Sequence, residues 1–330
     1  MLDKNQNATQ NLTLEKDVGH EIIYDIQLVD DIVFKGLAER ERHGDIELYN
    51  KYHELRDGIY EIEQENRPKR FRDLDNDFFH RLGYDIFLKE ILNEYPGIKD
   101  KIEEVHVRRA TTKQNEGSNV VDNGKKVIIR LYPEQFIEGG KEIHKVLAHE
   151  LMHVSDMMDE DFGYSVEHFD CSPMEERIIR DRYRLFWDIY VDSRLEREGK
   201  ESIANKEIRK KEFDSFFSKI PEDTRGSIFE KMWGGKEPLT HPKMIELSKD
   251  INKVLAIAKE GNHENEAERV GPLPGTTCTL CGFPSFEWVE DIESDEEVVK
   301  ILKEDFPDWS PHDGVCPRCV EYYKVKAGKW

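Results

Sequence analysis

The chain has 330 residues, 37% hydrophobic and 36% charged, with a formal net charge of -21 and a pI near 5.1. That length exceeds the usual single-core domain and calls for two or more folded units with a heavily solvated surface. The acidity repels phosphates and anionic lipid headgroups, which excludes nucleic acid as the default partner; the basic runs Arg67-Pro68-Lys69-Arg70-Phe71-Arg72 and Arg209-Lys210-Lys211 lie beside acidic residues and read as solvated surface.

Residues 1–18 are rich in Asn, Gln, Thr and Lys without periodicity and are expected to form a mobile tail. Met1–Asn7 lacks the basic-then-apolar layout of a signal peptide, and nowhere do about 18 apolar residues run together, so a soluble, cytoplasmic protein with no membrane partner is expected. Helical spacing of apolar residues covers 31–65 and 77–93, and Tyr95-Pro96-Gly97 ends the second stretch. Between Glu104 and Pro133 the period changes: Val105, Val107 and Ala110 alternate with polar residues, and Val127-Ile128-Ile129-Arg130-Leu131 follows. Asp122-Asn123-Gly124 just before that run predicts a tight hairpin turn.

After Gly139-Gly140, Ile143, Val146, Leu147, Leu151, Val154 and Met158 trace an apolar helix face. His149-Glu150-Leu151-Met152-His153 lies in the middle of that helix. Histidines four apart sit one turn apart on one face, so both imidazoles can reach a single Zn2+ at about 2.0–2.1 Å. Glu150 then stands beside the metal as a general base for a metal-bound water, which is the logic of peptide hydrolysis.

A catalytic zinc takes a third protein ligand, and three candidates lie downstream. Ser172-Pro173-Met174-Glu175 announces a second long helix, expected to run to about Glu198 and carrying Asp188 and Asp192 one turn apart. Apolar residues surround most of that helix, so the two carboxylates point inward and need a cation; the alternative to a metal is a salt bridge to Arg184 or Arg194. His168 is the third candidate. The oxyanion stabiliser is sought among Tyr132, Tyr164, Tyr183 and Tyr190.

The motif resembles the zincin metallopeptidases, and in particular the gluzincin arrangement of His-Glu-x-x-His on one helix and an acid-x-x-x-Asp pair on the next. That resemblance implies Asp188 as zinc ligand and Asp192 as the residue orienting a metal-bound histidine, with the roles exchangeable because Asp stands where Glu is usual. It also implies that the Val127–Leu131 strand guides an extended peptide or protein substrate. A second resemblance is to SprT-like proteases, which would make His168 the ligand and imply association with DNA.

Helical patterns continue through Phe213–Phe217, Ile228–Trp233 and Met244–Ala258, before the polar, Gly- and Pro-containing segment 261–276, the expected linker. Beyond it, Cys278-Thr279-Leu280-Cys281 and Cys316-Pro317-Arg318-Cys319 have the spacing of a four-thiolate structural zinc site, with one short helix expected between the pairs and Cys171 left over. Together these features predict an α+β protein: a mobile tail (1–18), a mostly helical zincin-like domain with a small β-sheet (19–260), a linker (261–276) and a zinc ribbon (277–330). The expected function is a zinc metallopeptidase with one catalytic and one structural zinc. The alternatives are a non-catalytic zinc-stabilised scaffold or interaction protein and a DNA-associated SprT-like protease.

Overall fold

The computed structural model describes residues 12–17, 20–235, 237–259, 272 and 275–329. The chain divides into two compact units, Met1–Tyr164 with Arg194–Ile203, and Ser165–Ser193 with Ala204–Trp330. Helices dominate and a small sheet accompanies them, as an α+β protein requires.

The first unit opens with strands β1 (Leu12–Asp17) and β2 (His20–Tyr24), paired antiparallel with Leu12 opposite Tyr24 and Leu14 opposite Ile22. This corrects the tail expected over 1–18. Leu12-Thr13-Leu14 carries a strand alternation too short to stand out among its polar neighbours, and β2 supplies the pairing; residues 1–11 and 18 lie outside the described residues. Helices α1 (Ile26–Arg42), α2 (Ile46–Ile59), α3 (Arg67–Arg81) and α4 (Ile86–Asn93) follow. The two helical stretches predicted over 31–65 and 77–93 are each divided. Gly44 and Gly83 take φ of +90° and +76°, a left-handed conformation that ends a helix and that glycine adopts without strain.

After the single turn α5 (Pro96–Lys99), strands β3 (Glu104–Arg109), β4 (Gly117–Val121) and β5 (Lys126–Leu131) complete a mixed sheet in the order β1-β2-β3-β5-β4. β3 runs parallel to β2 and β5, whereas β4 pairs antiparallel with β5 alone and forms one edge. Asp122, Asn123 and Gly124 make the β4–β5 turn with φ of +54°, +55° and +87°, as the Asn-Gly pair predicts. The strand entering that turn, Gly117-Ser118-Asn119-Val120-Val121, has no alternation by which the sequence would reveal it. The short α6 (Glu134–Ile137) then leads to α7 (Gly140–Met158). Ile32, Phe78, Phe79, Val105, Val127 and Leu151 are fully buried, each contributing about 1.5–3 kcal/mol relative to exposure.

The second unit begins its regular structure with α8 (Pro173–Arg197), where the Glu175 N–H donates to Ser172 Oγ at 3.2 Å as the capping pattern requires. Helices α9 (Lys206–Phe216), α10 (Glu222–Gly234), α11 (His241–Lys249) and α12 (Ile251–Lys259) close an aromatic core in which Phe186 stacks on Phe217 beside Phe213 and Phe229. The region 19–260 is therefore shared between two units, because α9–α12 bury their apolar faces against α8. The expected linker 261–276 lies almost wholly outside the described residues. Beyond it come β6 (Thr276–Thr277), β7 (Pro284–Ser285), α13 (Glu296–Asp305) and α14 (Pro317–Lys326), with a separate core around Val298, Leu302, Trp309 and Val320. No helix among the described residues is long and apolar enough to cross a membrane.

One buried carboxyl in the first unit sets a measurable pH dependence. Asp75 on α3 accepts the Tyr52 hydroxyl at 2.7 Å, and burial raises its pKa to about 6. An unfolded aspartate titrates near 3.9, so between about pH 4 and 6 the folded chain binds the extra proton and stability falls as pH rises. Asp75→Asn keeps an acceptor for Tyr52 and removes the titration. Its stability relative to the parent chain should rise by on the order of 2–3 kcal/mol from pH 4 to pH 7 in urea unfolding.

Candidate functional site

α7 carries His149, Glu150 and His153 in its middle, all at least nine-tenths buried, with exposures of 3%, 7% and 9%. Apolar residues at helical spacing bury this stretch, and two hydroxyls fasten its backbone. Tyr95 donates to the Ala148 carbonyl at 3.2 Å, and Ser118 on β4 donates to the Glu150 carbonyl at 3.1 Å. The Nε2 atoms of His149 and His153 lie 3.0 Å apart. Two nitrogens bound tetrahedrally at about 2.0–2.1 Å lie about 3.4 Å apart, so the pair fits a shared metal ion with a shift of a few tenths of an ångström. Glu150 Oε2 is buried and has no hydrogen-bond partner among the described residues.

Glu116, just ahead of β4, is a residue that the sequence pattern did not single out. Burial raises its carboxyl pKa and the nearby Glu150 adds to the rise, against the Tyr132 N–H at 2.9 Å and the Gln135 amide at 3.2 Å, which favour the carboxylate. The Val127–Leu131 strand, expected to guide a substrate, is β5, and both of its edges are already paired, to β3 and to β4. Its backbone groups are occupied, whereas β4 has one edge that no described strand covers.

Asp188 and Asp192 sit on α8, the first half-buried and the second with no exposed surface. Their cation within the second unit is Arg209 of α9, with Nε 2.5 Å from Asp192 Oδ2 and Nη1 3.5 Å from Asp188 Oδ2. The partners considered from sequence were Arg184, which is exposed, and Arg194, which binds Asp156 at 2.6 Å. His168 is exposed in the irregular stretch before α8. Among the four tyrosines considered, the Tyr183 hydroxyl is hydrogen-bonded to His241 Nδ1 at 2.7 Å.

No family model, curated protein or solved structure matches the chain. The chemistry of the site therefore rests on its residues.

The four cysteines of the C-terminal segment do converge. Cys278, Cys281, Cys316 and Cys319 place their sulfurs within 4.8 Å of one another, and none is in a disulfide. Thiolates tetrahedral about one ion at about 2.3 Å lie about 3.8 Å apart, the distance found between Cys281 and Cys316. The segment differs from the ribbon expected over 277–330. β6 and β7 are two residues each, and the second pair opens a helix: Cys316 is the N-cap of α14, and its sulfur accepts the Cys319 N–H. Burial raises the Cys278 thiol, but N–H groups of Cys316, Cys281 and Leu280 outweigh it and bring the pKa down to about 7. Cys316 and Cys319 are pushed up by burial, so four thiolates here call for a cation.

Gly314 sets the approach to the second pair. With φ of +70°, its Cα faces Pro272 and Trp288, and an added Cβ would lie 2.1 Å from Pro272 Cγ and 3.0 Å from the indole. The Gly314 carbonyl meanwhile accepts the Trp309 indole N–H at 3.0 Å.

Cys316→Ser tests the cluster cleanly, because serine preserves the α14 cap while removing one thiolate. Native mass spectrometry should show one metal equivalent fewer than the parent chain. Lowering the pH should release the same equivalent from the parent as the thiols reprotonate.

Proposed function

We propose that the chain is a zincin-type zinc metallopeptidase, with one Zn2+ held by His149 and His153 and a second, structural Zn2+ held by Cys278, Cys281, Cys316 and Cys319. The observation that carries the reading is Glu150 Oε2, buried without a hydrogen-bond partner among the described residues, beside two buried imidazoles 3.0 Å apart. A buried carboxylate oxygen left open is expensive in a structural helix and is what a general base needs. The bound metal supplies a Lewis acid that lowers the pKa of a coordinated water and polarises the scissile carbonyl.

In this reading Glu150 accepts the water proton at Oε2 and returns it to the leaving amine. The Tyr95 and Ser118 hydroxyls, by fastening the Ala148 and Glu150 carbonyls, fix the turn that carries His149 and the base. The resemblance to the gluzincin arrangement implies one acid of the Asp188 and Asp192 pair as the third ligand and the other as the residue that orients a metal-bound histidine, whereas His168 is exposed. The edge of β4 that no described strand covers, on the strand whose Ser118 holds the Glu150 carbonyl, is suited to align an extended peptide by backbone hydrogen bonds. The net charge of -21 favours a protein substrate over nucleic acid.

The test is the purified full-length chain against a broad peptide library. The parent chain should hydrolyse peptides and carry two zinc ions. Glu150→Gln should retain both ions and lose about 100- to 10,000-fold in kcat. Unchanged hydrolysis in Glu150→Gln, or a two-zinc parent chain inert towards every peptide, would replace the enzyme with a metal-stabilised scaffold.

A further inference from the structure

The C-terminal segment exposes three apolar side chains in one place. On α14, Cys319, Val320 and Tyr323 face the core, and Arg318, Tyr322 and Val325 follow one another at helical spacing on the opposite, exposed side. Tyr322 is 63% exposed and Val325 50%. Phe283, 58% exposed, comes just after the first cysteine pair and joins this stripe: the Arg318 guanidinium lies over its ring, 5.3 Å from the centroid. Arg318 itself stands inside the second pair, between Cys316 and Cys319. The thiolate cluster therefore ties together the two pieces of chain that make the patch.

The charges around the patch decide what it can hold. Lys324 pairs with Glu321 at 3.1 Å and Lys326 with Asp305 at 2.6 Å, whereas Arg318 makes no ion pair among the described residues. A guanidinium held over a ring keeps its in-plane N–H donors, a fork that matches a carboxylate. Aromatic and arginine side chains are also the commonest anchors of protein contacts.

We propose that Phe283, Arg318, Tyr322 and Val325 form a docking surface for a segment of a partner protein that presents a large apolar side chain beside an aspartate or glutamate. The apolar side chain packs on the exposed rings, and Arg318 takes the carboxylate. The net charge of -21 does not forbid this, because charges farther off than about 8 Å are largely screened at physiological salt. A single-stranded nucleic acid needs a row of unpaired cations along its backbone, and the patch offers one. Pairing of the patch with a second copy across a two-fold axis would set Arg318 near its own like charge. None of these residues belongs to the His149 and His153 site, so the surface stands or falls apart from the peptidase reading.

The experiment selects displayed random peptides on the immobilised full-length chain and measures the enriched peptides, made with a fluorophore, by fluorescence anisotropy. Enriched peptides should carry an aromatic or aliphatic residue next to Asp or Glu. Phe283→Ser and Tyr322→Ser should each weaken them by about 10-fold or more. Arg318→Glu should weaken them similarly and reverse the preference, so that the same peptide with its acid changed to Lys binds better. An unchanged near-ultraviolet circular dichroism spectrum reports that each variant is folded. Failure to enrich any peptide, enriched peptides without an acid, or affinities that Arg318→Glu and Tyr322→Ser leave unchanged would overturn the proposal. A labelled oligothymidylate that binds the parent chain and not Tyr322→Ser would assign the surface to nucleic acid instead. A dimer in sedimentation that Tyr322→Ser dissolves would assign it to a second copy.

Discussion

Burying two imidazoles and a carboxylate on one turn of α7 is the constraint around which the first unit is arranged. Polar groups removed from water are costly unless something answers them, and a helix satisfies only its own backbone. The surrounding structure holds that stretch in place. Apolar residues on the rest of α7 bury it, Tyr95 and Ser118 donate to backbone carbonyls within the motif, and Asp156 farther along the helix is neutralised by Arg194. Once the backbone is fixed in this way, the His149, Glu150 and His153 side chains keep one geometry and need not be ordered anew when a ligand arrives.

How far the sequence reveals this structure depends on how local each determinant is. α7 and the start of α8 are readable because glycine breaks, apolar spacing and a capping serine act within a few residues. The cysteine cluster is readable because each C-x-x-C pair is a local turn, although the helical start at Cys316 is not announced by the spacing. β4 escapes because Gly117-Ser118-Asn119 is a strand only by virtue of β5 beside it. Arg209 escapes for a similar reason. Its carboxylate partners lie 17 and 21 residues back on another helix, whereas a wheel shows only neighbours three and four apart.

The two metal-fitting groups solve opposite problems. The histidine pair is built into a rigid helix of a unit that already has a large core. The thiolates join a hairpin turn to a helix start 35 positions apart in sequence, in a segment whose core is a handful of side chains. Ion binding in such a segment is coupled to its folding, since closing that loop is otherwise entropically opposed. The close approach of Gly314 to Trp288 shows how little room the segment leaves for rearrangement around the second pair.

The edge of β4 that no described strand covers is also a hazard. Bare strand edges invite pairing with other copies of a chain, and proteins with an exposed edge usually blunt it. Here the Asn119 side chain accepts the Val120 N–H at 2.9 Å, so one donor of a five-residue edge is satisfied locally. Such a self-made bond lowers the reward for a second protein strand. By this means the edge carries its own deterrent to pairing between copies of the chain.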